Sequence, residues 1–227
     1  MSMHEKTDVR PEGAAGTADA GGAAGAAGAA GAAGTQRDET TTVLLVGVGG
    51  QGTVLAGDVL ARTALASGFD VKLSEIHGMS QRGGSVSTVV RFGREVASMV
   101  ADPGRADVII AFDKLEALRA QEFLVRGGGA LFANDDLLAP QAIACGRERM
   151  PRDVDGRLDK IGARLVDATG IAREAGSPKS VNIALLGAAS TVLPFPEGAW
   201  HATVEARVPA KTVEANLAAF AAGRKGV

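Results

Sequence analysis

The chain has 227 residues, a formal net charge of −2 and charges of both signs spread along its length. It has no long basic block and no apolar stretch near the roughly 20 residues of a membrane helix, so neither nucleic acid nor a membrane is expected as a partner. Its one cysteine, Cys145, excludes an internal disulfide and fits a reducing, cytoplasmic compartment; it also excludes an iron–sulfur cluster held by this chain alone, since such clusters take about four thiolates.

Residues 1–40 are polar or Ala/Gly-rich, with a Gly-Ala-Ala run from Gly22 to Gly34. Without large apolar side chains such a segment cannot offset its ordering entropy, so a disordered tail is expected there. It has no Leu-rich core and carries early acidic residues, unlike a secretory signal. Residues 41–227 are then expected to form one domain around one core.

Thr42–Val48 is a continuous apolar run, which suits a strand buried on both faces. The turn Gly49-Gly50-Gln51-Gly52 follows, then a stretch with helical spacing that stops at Gly68. Phe69–Glu75 alternates apolar and polar residues and predicts a second strand. After it comes the polar stretch Glu75–Val86, "EIHGMSQRGGSV". Val86, Thr88, Val90 and Phe92 share a strand face; Gly93-Arg94 reads as a two-residue turn with Glu95–Val100 returning as a β-hairpin. About nine residues separate Glu75 from Ser85, too few for a parallel crossover, which takes a dozen or more. The strand after the polar stretch is therefore not expected to run parallel to the one before it.

Asp107–Phe112 reads as a buried strand. Asp113 stands at a helix N-cap position with Glu116 at capping-box spacing, and the helix is predicted to run to about Arg126. "ALFAN" after Gly127-Gly128-Gly129 is a further strand. Residues 135–163 give no clear pattern, and "RERMPRDVDGRLDK" reads as an exposed excursion. "ARLVDA" is a strand, 169–176 a short helix, and "SVNIALLGAAS" a buried helix ended by Pro194-Phe195-Pro196. Amphipathic helices follow over roughly 197–206 and 209–222. Strands alternating with helices predict an α/β fold: a Rossmann-like three-layer sandwich, with a largely parallel sheet and one antiparallel hairpin.

Two motifs carry candidate chemistry. Gly47-Val48-Gly49-Gly50-Gln51-Gly52 matches G-x-G-x-x-G between a strand and a helix, where backbone amides and the helix dipole favour an anion. With Glu75 near the position of a ribose-binding acid, a free-standing NAD-binding protein is one reading; a tight turn without a ligand is the other. The second motif is the polar stretch. If its preceding strand is parallel to the first, it shares the sheet's carboxyl edge with the glycine turn. Arg82 is then the anion donor, His77, Ser80 and Gln81 hydrogen-bonding groups, and Gly83 and Gly84 allow close approach. No nucleophile–base pair is recognisable, and no residue is assigned a catalytic role. His4, His77 and His201 are scattered without metal-site spacing. Asp113 and Asn182 read as caps or core hydrogen bonds, and His201 as helix packing.

"GVGGQG" together with "EIHGMSQRGGSV" resembles the gamma-domain family of 2-oxoacid:acceptor oxidoreductases, in the form of its indolepyruvate branch. "ADVIIAFDKLEALR", "NIALLGAAS" and "VPAKTVEANLAAFAAG" extend the resemblance over Thr42 to Gly223; the Ala/Gly tail is outside it. The resemblance implies a small subunit in coenzyme A-dependent oxidative decarboxylation of a 2-oxoacid, with electrons passed to ferredoxin. It places thiamine diphosphate, Mg²⁺ and [4Fe-4S] clusters on a large partner subunit, with no cofactor on this chain, which has no recognisable thiamine diphosphate motif. It removes the reason to invoke NAD. A gamma subunit of a pyruvate or other 2-oxoacid:ferredoxin enzyme is the alternative within the family.

Overall fold

The computed structural model describes residues 40–77, 84–147 and 149–227. The expected tail, apart from Thr40, lies outside them. The apolar run forms strand β1 (Thr41–Val48), with its central residues buried. It lies between β3 (Ser85–Gly93), which is antiparallel to it, and β4 (Val108–Ala111), which is parallel. β2 (Asp70–His77) flanks β3, while β5 (Ala130–Asn134) and β6 (Arg164–Val166) extend the other side in parallel. Among the described residues the sheet has six strands in the order β2-β3-β1-β4-β5-β6. Both β1 and β2 are antiparallel to β3, so they run the same way, and only β3 is reversed.

The antiparallel hairpin exists, but not between the strands predicted for it. β3 pairs with the strand before it, His77 opposite Val86, and residues 78–84 connect the two. Glu95–Val100 is not a strand. Both edges of β3 are already occupied, by β1 and β2, so no ladder is left for a returning strand. The segment's backbone is held by side chains instead. Val96 N–H donates to Asp70 Oδ2 (2.8 Å), and the Arg91 guanidinium donates to the carbonyls of Ser98 (2.9 Å) and Val100 (3.4 Å).

Helices cover both faces. On one lie α1 (Thr53–Ala66) and α6 (Val181–Ala189), packed on Val43, Leu45, Val90, Ile110 and Phe132. α5 (Ala168–Glu174), α7 (Glu197–Arg207) and α8 (Val213–Lys225) complete this layer. α6 and α8 touch through glycine: a Cβ on Gly187 would strike the Phe220 carbonyl, and one on Gly223 the Ala184 carbonyl. On the other face α2 (Lys114–Ala120) covers Leu44, Val46, Ile109 and Leu131. A short α3 (Gln141–Ala144) precedes α4 (Val154–Lys160), which buries Val154 and Leu158. Part of the predicted exposed excursion is thus core. No helix among the described residues is long and apolar enough to cross a membrane.

α2 is shorter than its sequence predicts. It passes into a 3₁₀ turn over Gln121–Phe123 and stops well before Arg126. The chain is drawn away by pairing with the segment ahead of β4: Ala106 N–H donates to the Phe123 carbonyl (2.7 Å) and Val125 N–H to the Ala106 carbonyl (2.9 Å).

Candidate functional site

The glycine turn sits where β1 ends and α1 begins, beside β4. The chain turns outward to β2 on one side of this point and to β5 on the other, and crevices at such switch points of open α/β sheets take ligands. Gly50 (φ 104°) and Gly52 (φ 87°) are left-handed, a conformation that costs any residue with a Cβ. Gly47 is needed for space: a Cβ there would lie 2.7 Å from Gln51 Oε1 and 3.0 Å from Phe112 Cβ. A Cβ on Gly52 would lie 2.8 Å from Asn182 Nδ2, because α6 brings Asn182 beneath the turn. Asn182 donates to the Gly52 carbonyl (3.3 Å), a core hydrogen bond as its sequence context predicts.

Gln51 closes the turn. Its Oε1 accepts from Val48 N–H (2.6 Å) and its Nε2 donates to the Phe112 carbonyl (3.2 Å), tying the turn to the end of β4. The Gln51 side chain therefore serves the turn itself. Gly52 supplies no side-chain cap to α1, so among the described residues the amides of the first helical turn are left as donors at the positive end of a 14-residue helix.

The polar stretch begins at the carboxyl end of β2, as predicted. His77 is the last residue of β2; Ser80, Gln81, Arg82 and Gly83 lie outside the described residues. Gly84 is described, and its carbonyl accepts the Gly49 N–H (3.0 Å). The glycine turn and the exit of the polar stretch thus meet at one edge.

Two buried carboxyls from α2 stand there. Asp113, 1 % exposed, caps the helix: its Oδ1 accepts from Leu115 N–H (2.9 Å) and Glu116 N–H (3.0 Å). Burial pushes its carboxyl above the usual range, and the Glu116 charge adds to this, against the lowering effect of the cap hydrogen bonds. Its Oδ2 has no partner among the described residues. Glu116, 2 % exposed, does not complete the predicted capping box. It accepts from Ser85 Oγ (2.5 Å) and from Arg119 Nη1 (2.5 Å) instead. Sequence reasoning missed Ser85 and Glu116 as part of this edge. The pair also walls a groove of about 240 Å³ over the half-covered end of the sheet, lined chiefly by apolar side chains such as Leu44, Val46, Ile76, Met99 and Phe123. Among the described residues no cluster of three or more His, Cys, Asp or Glu is placed to hold a metal.

The geometry departs from a dinucleotide site. In such a site the strand bearing the ribose acid neighbours the glycine-bearing strand. Here β3 separates β2, and with it Glu75, from β1.

An α/β domain with one reversed strand, and a glycine turn bonded to the end of a polar connection, defines the class. The chain belongs to the pyruvate ferredoxin/flavodoxin oxidoreductase family, which it matches over residues 42–226. It is 37% identical over 190 residues to the indolepyruvate oxidoreductase subunit IorB of Thermococcus kodakarensis, covering 81% of this chain and 94% of that protein. It is 38% identical over 192 residues to the IorB subunit of Pyrococcus horikoshii, again covering 81% and 94%. The fold is also that of the keto/oxoacid ferredoxin oxidoreductase gamma subunit of Geobacter sulfurreducens (TM-score 0.60, 22% identity, 82% of this chain and 97% of that one).

Proposed function

We propose that this chain is the small subunit of a cytoplasmic, ferredoxin-dependent enzyme that oxidatively decarboxylates arylpyruvates such as indolepyruvate with coenzyme A. The observation that carries the reading is the match to subunits of that name along nearly their whole length. The chemistry of the chain agrees. One cysteine cannot supply the thiolates of a [4Fe-4S] cluster, so the clusters belong to a large partner subunit. Thiamine diphosphate and Mg²⁺ are assigned to that partner too, and ferredoxin meets the complex there. Thiamine diphosphate, when bound, supplies the carbanion stabilisation that decarboxylation needs.

This chain's part is to build an edge. Gly47, Gly49, Gly50, Gln51 and Gly52 form a turn that presents amide donors, and the polar stretch that contributes His77, Ser80, Gln81, Arg82, Gly83 and Gly84 is assigned to the same edge, with His77 at the end of β2 and Gly84 at the turn. In this reading the edge faces the partner's active site, and Arg82 holds an anionic group of the oxoacid or of coenzyme A by charge-assisted hydrogen bonds.

The test is co-expression with a large subunit bearing thiamine diphosphate and ferredoxin-type cysteine motifs. Viologen reduction that depends on arylpyruvate and coenzyme A is expected only when both chains are present. Full activity of the large chain alone would refute the reading, as would NADH binding by the isolated small chain.

A further inference from the structure

We infer that Glu116 is a positioning residue for this edge, acting through Ser85. The inference rests on the preceding reading, since it concerns how the edge is held for the partner's chemistry.

Glu116 is almost wholly buried, yet among the described residues its side-chain hydrogen bonds are one to the exposed Ser85 hydroxyl and one to Arg119, whose side chain is 44% exposed. Removing a carboxylate from water costs several kcal/mol, and a well-packed apolar side chain would fill the same space at less cost. What an apolar residue could not do is fix the Ser85 hydroxyl. Ser85 is the first residue of β3; it pairs with Val48, the last of β1, and follows Gly84, whose carbonyl takes the Gly49 N–H. One hydrogen bond from α2 therefore locks the point where the polar connection re-enters the sheet, and with it the acceptor that orients the glycine turn.

The Asp113 cap sets the first turn of α2, from which Glu116 points back at the sheet. Arg119 holds the other carboxylate oxygen, so Oε2 is left aimed at Ser85. Charge-assisted hydrogen bonds of this kind are short and directional. Movement of the Ser85 backbone would displace the Gly84 carbonyl and release the Gly49 amide.

The experiment uses the reconstituted two-subunit enzyme with Ser85→Ala, Ser85→Thr, Glu116→Gln and, as a reference, Arg82→Ala. Rates are taken per assembled complex, with melting temperature measured on the same samples. Ser85→Ala is expected to lower kcat/KM at least threefold at an assay temperature well below the melting point of every variant, with a modest fall in melting temperature because the buried Glu116 carboxylate loses a donor. Ser85→Thr, which keeps the hydroxyl, should recover most of that loss, and Glu116→Gln should fall in the same direction as Ser85→Ala. Unchanged kinetics in Ser85→Ala would overturn the inference. So would a lower melting temperature with normal kinetics, because that is a purely structural role. If Arg82→Ala alone is silent, the assignment of Arg82 fails, and the Ser85 pair of variants still decides the role of Glu116.

Discussion

The Gly49 amide donates to the Gly84 carbonyl across 3.0 Å, joining two segments that are 35 positions apart in the chain. The bond follows from topology. β3 returns antiparallel directly beside β1, so the end of the polar connection arrives at the turn that closes β1. The amides of the α1 start and the exit of the polar connection therefore share one edge. Arg82→Ala should lower turnover of the assembled enzyme by about 10-fold or more, the scale of a lost charge-assisted contact of ~1.5–3 kcal/mol. Steady-state kinetics on the two-subunit complex checks this, with subunit ratio and yield as controls; wild-type kinetics would remove Arg82 from the site.

The turn itself should tolerate no Cβ at Gly52. Alanine there meets two separate obstacles, a left-handed φ of 87° and the amide of Asn182. The backbone penalty alone is about 1–2 kcal/mol. Gly52→Ala should therefore lower unfolding free energy by at least this much in denaturant titration. Adding Asn182→Ala removes the obstructing amide but not the backbone penalty, and should recover only part of the loss. Full recovery would show that the left-handed backbone costs nothing here.

The glycine turn and most strands and helices were readable from the residues because each signal is local: an apolar run, a glycine at a left-handed position, a period of two or of 3.6. The failures came where a distant partner decided the outcome. Glu95–Val100 looks no different from a returning strand until β1 and β2 are seen to fill both edges of β3. Glu116 has capping-box spacing from Asp113, yet its partner is Ser85, 31 residues away. Val154 and Leu158, four residues apart in a charged stretch, did carry a helical signal, short enough to be lost among its neighbours. The candidate site divides the same way. Its glycines were legible, while the contacts that bring them to Gly84 and Ser85 depend on the strand order.

Asp113 gives a prediction with a defined sign. Its carboxyl is raised in the fold, so the folded chain binds the proton more tightly than the unfolded chain. Stability is then highest where Asp113 is protonated, and falls as pH rises from the ordinary carboxylate range through the raised value. Asp113→Asn keeps a cap acceptor but cannot ionise. Relative to this variant, the wild type should lose stability as pH rises above the ordinary carboxylate range, measured by denaturant titration at each pH. A pH-independent difference would contradict the raised carboxyl. Asp113→Ala lacks the cap as well and should be weaker by about 1 kcal/mol at all pH values.

The tightest steric demand lies away from the edge, where α6 meets α8. Gly187 faces the Phe220 carbonyl and Gly223 the Ala184 carbonyl, backbone against backbone, with no flexible side chain to move aside. A methyl group at either position must push the helices apart or bend one of them. α6 carries Asn182 under the glycine turn, so a displaced α6 disturbs the turn as well. Gly223→Ala is expected to destabilise the chain by about 3 kcal/mol, at the upper end of overpacking costs. Gly187→Ala should cost a similar amount. Both enlarge the same interface, so the double variant should lose less than the two losses combined, since helices already separated by one methyl group accommodate the second more easily. Denaturant titration of the two single variants and the double variant measures this coupling directly; strictly additive losses would mean that the two contacts yield independently.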